Sequence, residues 1–462
     1  MTYLRSRLTT TLIASTAVAV LAGALASPAP AADLQGQHSV ITHQTLQQAW
    51  ADDGKPIATQ ATANGVYTVK TGASTAWATM LMFDGNRQSA EIAGNAGLST
   101  LTASTVHAED GDGTVEPGPF ALLSNNQVGD NIVYALSDMT ISVPGEVGNS
   151  HVTISANTNT ARARMNDASN TLSLDVVDFS GKSLLSSSQT STGSVTADAV
   201  SHFGKSDANF AVQSSKLLVH DNSTISEAGG NRVLHNVKVD AAIVTGSQPV
   251  LDSLQTNSAL VSASSDTALN LDGRGAFQSR LEVDHNNASS LAHGNFAENR
   301  MGVTAGFGVR QRAGDDTPQL TAAIPAQPVV GAVLSNRQLN SGAVAAQTRL
   351  NTGMALNCDC TTDSQSGNTQ NSGAASAYGN AALNAFVAKG VAVAMVSNTQ
   401  ENRGPVSATA TGRFGASMSE GVSGSMVSIS GNGMAAVAIG NQAVNTLTTI
   451  GARGAAPVDI PR

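Results

Sequence analysis

Two stretches carry the lysine–hydroxyl pair of a phosphate-binding loop, Gly181-Lys182-Ser183 and Gly204-Lys205-Ser206. Such a loop wraps backbone amides around phosphate oxygens and needs another glycine five residues before its Gly-Lys pair. Those positions hold Val176 and Ala199. Cys358-Asp359-Cys360 is the only cysteine pair; it fits a strained disulfide, a metal-site fragment or two free thiols. A lone Cys-x-Cys without further soft ligands is a poor zinc site. "EDGDGTVE" (109–116) has calcium-loop composition without calcium-loop spacing, and reads as an acidic linker. The nine histidines are scattered, mostly beside Asn, Asp or Ser as in "VDHNNAS" (283–289), and are expected on solvated loops or strand surfaces. The sequence contains neither Gly-x-Ser-x-Gly nor His-Glu-x-x-His. Asp and Glu are too dispersed to suggest the carboxylate pair of a glycosidase. The expected site inventory is therefore empty: no catalytic, cofactor-binding or metal-binding residues.

Composition points away from an ordinary enzyme core as well. Charged residues are 12% and aromatics 3% of 462 residues, both far below globular averages. The apolar share of 41% is mainly Ala, Val and Leu. A disordered chain would carry more charge and proline. Net charge of −9, without a Lys/Arg cluster, argues against a nucleic-acid partner. A thin core repeated many times fits these numbers.

A repeat supports that reading. Gln, five residues, Val, one residue, Ala recurs at Gln127-Val133-Ala135, Gln189-Val195-Ala197, Gln255-Val261-Ala263, Gln338-Val344-Ala346 and Gln400-Val406-Ala408. The glutamines are separated by 62, 66, 83 and 62 residues, close to three, three, four and three times a unit of about 21 residues, one solenoid coil. Stretches such as "VTISA" (152–156), "TLSLDV" (171–176), "ALVSAS" (259–264) and "AVAIG" (436–440) alternate with period two, Ala, Val, Ile or Leu on one face and Ser or Thr on the other. "AALNAFVAKGVAVAMV" (381–396) is dense in alanine, but Gly390 and the Val-Ala alternation favour strand. The expected fold is an all-β solenoid (β-helix) of degenerate ~21-residue coils. About 15 such coils would make a rod roughly 70 Å long. Asn is expected to turn the coil, and stacked Asn and Gln to ladder their amides.

Arg5 and Arg7 followed by the uncharged run Leu8 to Ala26 and "SPAPAAD" make a secretory signal peptide over 1–31, cut before Ala32 or before Ser27. No later stretch is long and apolar enough for a membrane helix. Residues 32–108, which hold Trp50 and Trp77, are expected as an N-terminal cap or partner-binding head. An acidic Gly/Pro linker follows at 109–119, solenoid repeats at 120–455, and a tail at 456–462. "TPQLTAAIPAQP" (317–328) is expected as a loop or bend.

The signal peptide, the aromatic-poor body and units such as "ISANTNTARARMNDASNTLSLD" (154–175) and "AVAIGNQAVNTL" (436–447) resemble the holdfast-anchoring protein D family of stalked alphaproteobacteria. The resemblance covers about 120–455 and rests on repeat texture. It implies a cell-surface or outer-membrane protein, at one pole, that attaches the adhesive holdfast polysaccharide to the envelope. It further implies a companion anchor protein, a curli-pore-like outer-membrane lipoprotein and stable self-association as partners, and no catalytic residue or cofactor. "AVAIGNQA" is also similar to the head repeat of trimeric autotransporter adhesins, and the Asn/Gln/Ala spacing is curlin-like. A secreted β-helix enzyme acting on carbohydrate is the alternative of a different class.

Overall fold

The computed structural model describes residues 34–35, 38–47, 49–50, 56–68, 75–77, 80–109, 120–143, 146–179, 182–205, 211–245, 248–305, 309–310, 331–357, 365–391, 393–418 and 425–451. The expected signal peptide, Cys358 and Cys360, "TPQLTAAIPAQP", the 456–462 tail and all but Glu109 of the linker lie outside them. The described residues form strands and short turns, with no helix, in sheets that are parallel except for the two-residue antiparallel pair Ala49–Trp50 with Pro56–Ile57. The chain is an all-β solenoid.

Six coils make the stack. Each begins with a long first arm: His38–Leu46 with Thr59–Thr68, then Ala121–Ser142, Lys182–Lys205, Gln248–Asn257 with Leu260–Phe277, Ala332–Asn340 with Val344–Asn357, and Ala394–Asn402 with Val406–Met418. A five-residue edge strand follows, as in Met80–Asp84, His151–Ser155 or Met426–Ser430. The coil closes with a second arm: Arg87–Glu109, Thr158–Phe179, Ser223–Thr245, Asn287–Ala305, Ser372–Lys389 or Gly433–Ile450. Every arm pairs in parallel with its counterpart one coil away.

Two expectations are corrected. Stacked glutamines lie 62, 66, 83 and 62 residues apart because these separations are single coils, not multiples of ~21. A ~21-residue coil is the length of a narrow solenoid, whereas each coil here is about three to four times as long. Here a 22-residue arm, at about 3.3 Å per residue, crosses roughly 70 Å, while six coils rise only about 30 Å. The molecule is a slab, wider than tall. Second, residues 38–109 are no separate cap. His38–Leu46 and Thr59–Thr68 pair in register with Ala121–Ser142, and Arg87–Glu109 with Thr158–Phe179, so this segment is the first coil.

The two arms of a coil run in opposite directions across a thin core. Asn125 of the first arm donates to Asn170 of the second at 2.9 Å, and further along Asn159 donates to the carbonyl of Ser137 at 3.1 Å. Alternation drives this packing: along Ala121–Ser142, residues facing the other arm are buried and their neighbours mostly half-covered. Bulk varies along the arms. One end holds Phe120, Leu123, Leu172, Leu174, Phe179 and Leu185; the waist is Val and Ala, as at Val133, Ala135, Ala161 and Ala163; the edge-strand end holds Met139, Ile141, Val152 and Ile154. Alanine suits the waist because the sheets approach closely there. A Cβ on Gly294 would stand 2.6 Å from the carbonyl of Gly379 and against Asn340 Oδ1. The segment 381–396 is strand on both sides of Gly390, whose φ is +70°.

Candidate interaction surfaces

Between the bulky end and the waist, the interior is hydrogen-bonded along the stack axis. Gln127 donates to Gln44, Gln189 to Gln127, Gln255 to Gln189, Gln338 to Gln255 and Gln400 to Gln338, at 2.6–2.8 Å. Each Nε2 also reaches a carbonyl of the opposite arm, such as Phe296 O from Gln255 at 2.9 Å. A second row on the second arms runs in the reverse sense: Asn95 donates to Asn166, then Asn231, Asn295, Asn380 and finally Asn441, at 2.7–2.8 Å. These asparagines also bond the first arm of the next coil, Asn166 to Thr190 O and Asn380 to Glu401 O, both at 2.8 Å. Buried amides are tolerated because almost every donor and acceptor is used.

A third row turns the corner between edge strand and second arm. Asn86 donates to Asn157, and the chain of bonds continues through Asn222, Asn286 and Asn371 to Asn432. Asn was expected to supply the left-handed backbone of the turn. At this corner the residue before it does so, with φ of +67° at Gly85, +52° at Ala156, +58° at Asp221, +52° at His285, +55° at Gln370 and +68° at Gly431. The asparagines themselves serve as ladder rungs.

The expected amide ladders are thus present, but inside. Gln44 escaped the sequence pattern because six residues later stands Trp50 instead of Val. The second row had a legible signal: Gly precedes Asn95, Asn231, Asn295, Asn380 and Asn441, and only Met165 breaks it. Opposite Met165, Gly129 leaves room for its side chain.

The outer face of the second arms carries charge of alternating sign. Arg162 sits between Glu91 (3.0 Å) and Glu227 (3.2 Å); Arg164 bridges Glu227 (2.7 Å) and Asp167 (2.9 Å); Arg232 reaches Asp167 at 3.0 Å. Burial alone would raise the Glu227 carboxyl, but Arg164, His293 and Arg162 together hold it below its ordinary value. Like charges stacked in register would repel; opposite signs in successive coils pair.

Of the sequence-level candidates, Lys182-Ser183 lies within the described residues, while Cys358, Cys360 and Ser206 lie outside them. Ser183 faces the core and is 1% exposed, so the Lys182-Ser183 step starts an arm. Among the described residues no three His, Cys, Asp or Glu side chains are placed to hold a metal ion. Two histidines depart from the expected solvated surface. His235 and His293 are buried, and burial pushes their pKa values down to about 3 and about 4. His235 takes a place in a row otherwise held by Ser99, Asn170, Asn299, Asn384 and Asn445, which explains why a polar ring is accommodated there.

One concavity follows the corner between first arm and edge strand, about 470 Å³, open to solvent and lined along successive coils by Asn149, Ser214 and Gln278, and by His151, Lys216 and Arg280. Burial, then Lys216, lowers the His151 pKa, and Arg280 bonds Glu282 at 2.6 Å. The groove is polar and shallow, suited to hydrogen-bonding an extended polar chain. Comparison with known protein families, curated proteins and solved structures gives no match to this chain.

Proposed function

We propose that this chain is a non-enzymatic anchoring protein of the cell surface that attaches an adhesive holdfast polysaccharide to the envelope. It reaches the surface through the N-terminal signal peptide, acts at one pole with a companion anchor protein and a curli-pore-like outer-membrane lipoprotein, and self-associates. The observation that carries the reading is the continuous Gln row through all six coils. It commits the interior to mechanical continuity, while the outer face offers stacked hydroxyls, such as Ser124, Ser186, Ser335 and Ser397 with Asp252 among them, at a coil spacing of about 4.8 Å for hydrogen bonds to a glycan. Deleting the gene is expected to leave cells that shed the adhesive polysaccharide and fail to hold a surface. Normal adhesion without shedding counts against anchoring, and glycan hydrolysis by the purified protein favours the enzyme alternative.

A further inference from the structure

The two ends of the stack differ by one arm. Inward-facing Ala90, Asn95, Ser99 and Ala103 on the second arm of coil 1 are buried, whereas their counterparts on coil 6, Ala436, Asn441, Asn445 and Thr449, are exposed. Each second arm sits beneath the first arm of the following coil, to which its ladder Asn donates. Among the described residues nothing follows coil 6. Its strands pair only with coil 5, and core-facing Leu447 and Ile429 are 43% and 48% exposed. At the other end the first arm of coil 1 is the uncovered one, with Val40, Gln44 and Ala61 half-buried. One end is a step up and the other the matching step down.

The ladder ends match in hydrogen-bonding sense as well. Among the described residues, at coil 6 Gln400 Oε1 accepts nothing, Asn445 Nδ2 donates nothing, and Asn441 Nδ2 makes only a 3.4 Å bond to Gln400 O. At coil 1, Gln44 Nε2 uses one hydrogen, on Ala96 O, while Asn95 and Asn86 use only their amide nitrogens and leave Oδ1 open. Carrying the coil-to-coil register one step further sets Gln44 over Gln400, Asn95 over Asn441, Asn86 over Asn432 and Leu101 over Leu447. Donor meets acceptor in all three amide rows. The strand Gly433–Ile450 would run over 87–104 and stop short of Ala108, where Leu34 already pairs.

We propose that a second copy of this chain docks head to tail, its coil 1 continuing the coil-6 edge in register, so that the Gln and Asn rows pass unbroken from one molecule to the next. The occupant is another copy because its coil 1 carries the complementary row ends in this register. Such a contact is heterologous and does not close on itself, so it builds a filament. It rests on the self-association named above and specifies its geometry.

Disulfide trapping tests it. Thr45 and Glu401 both point outward and are exposed, and the proposed register places them one coil step apart, about 4.8 Å, within disulfide reach. In purified protein carrying Cys358→Ser and Cys360→Ser, mixing Thr45→Cys with Glu401→Cys under mild oxidation should give a covalent dimer, and the double variant a ladder of multimers. His43→Cys with Glu401→Cys, two residues out of register, should cross-link at least tenfold less. Thr45→Glu, which would set a like charge one coil step from Glu401 on the outer face, should reduce multimers in sedimentation at least tenfold with an unchanged circular-dichroism spectrum. Multimers that cross-link through Glu401→Cys alone, or without the Thr45–Glu401 pair, overturn this contact and leave self-association standing. A monomer at every concentration overturns both.

Discussion

Replacing Gln255 by leucine removes one rung from the middle of the glutamine row with little change in volume. Gln255 donates to Gln189 Oε1 (2.8 Å) and Phe296 O (2.9 Å) and accepts from Gln338 Nε2 (2.8 Å). The substitution strands three groups in a site where Gln189, Gln255 and Gln338 are at most 1% exposed. An unmet buried polar group costs about 1–3 kcal/mol, for a gross loss of about 6 kcal/mol. The added apolar surface of leucine returns about 2 kcal/mol, leaving about 4 kcal/mol. Gln400→Leu, at the half-exposed end, strands one buried acceptor, Gln338 Oε1, and frees Gln442 O, which water can reach, so it should cost about 1–2 kcal/mol. Solenoids unfold in parts rather than all at once, so amide hydrogen exchange along Gln248–Asn257 and Ala394–Asn402 is the suitable assay. The double variant Gln189→Leu/Gln255→Leu strands fewer groups than its two halves separately and should cost less than their sum. Equal losses at 255 and 400, or strict additivity at 189 and 255, would refute the ladder as the source of stability.

His235 and His293 have folded pKa values of about 3 and about 4 against 6.5, so the unfolded chain binds protons that the folded chain refuses. Stability is full above about pH 6.5 and falls with acidification, by about 2 kcal/mol per histidine at pH 5; urea midpoints at pH 7.5 and 5 measure it, and His235→Asn should remove half the drop. Gly294→Ala forces a methyl against Asn340 and the carbonyl of Gly379 and should cost about 2–3 kcal/mol, whereas Gly433→Ala, with open space around it, should lower the melting temperature little. Ala156→Gly relieves a φ of +52° and should raise stability by about 0.5–1 kcal/mol, read as a later urea midpoint.

Much of the fold was legible because parallel coils repeat their chemistry in register. The Gln-to-Gln separations carry the stacking signal, but each is one whole coil and not three or four coils of ~21 residues; Val and Ala downstream mark the thin waist. The coil width was not legible, since period-two alternation looks the same along a 22-residue arm and along a short strand. Nor was the membership of coil 1: Trp50 and Trp77 made 32–108 look foreign, while the residues that tie it to the stack, Gln44 and Asn95, are single amides without a surrounding motif. At "AVAIG", alternation misled, because Val437 and Ile439 lie on the outer side and Ala436 and Ala438 face inward. The two buried histidines were missed for a related reason: a row position is defined by its neighbours above and below, 64 or more residues away, and not by the residues beside it in sequence.

The glutamine row also fixes what the chain is free to vary. Coils of 62 and 83 residues hold the same rung spacing, so the paired arms tolerate a difference in the length of chain between them, as between the arm that ends at Ala305 and the one that begins at Ala332. Evolution has there a port where new peptide enters without disturbing the beat of the stack, and a designer could use the same port to mount a tag or a binding module.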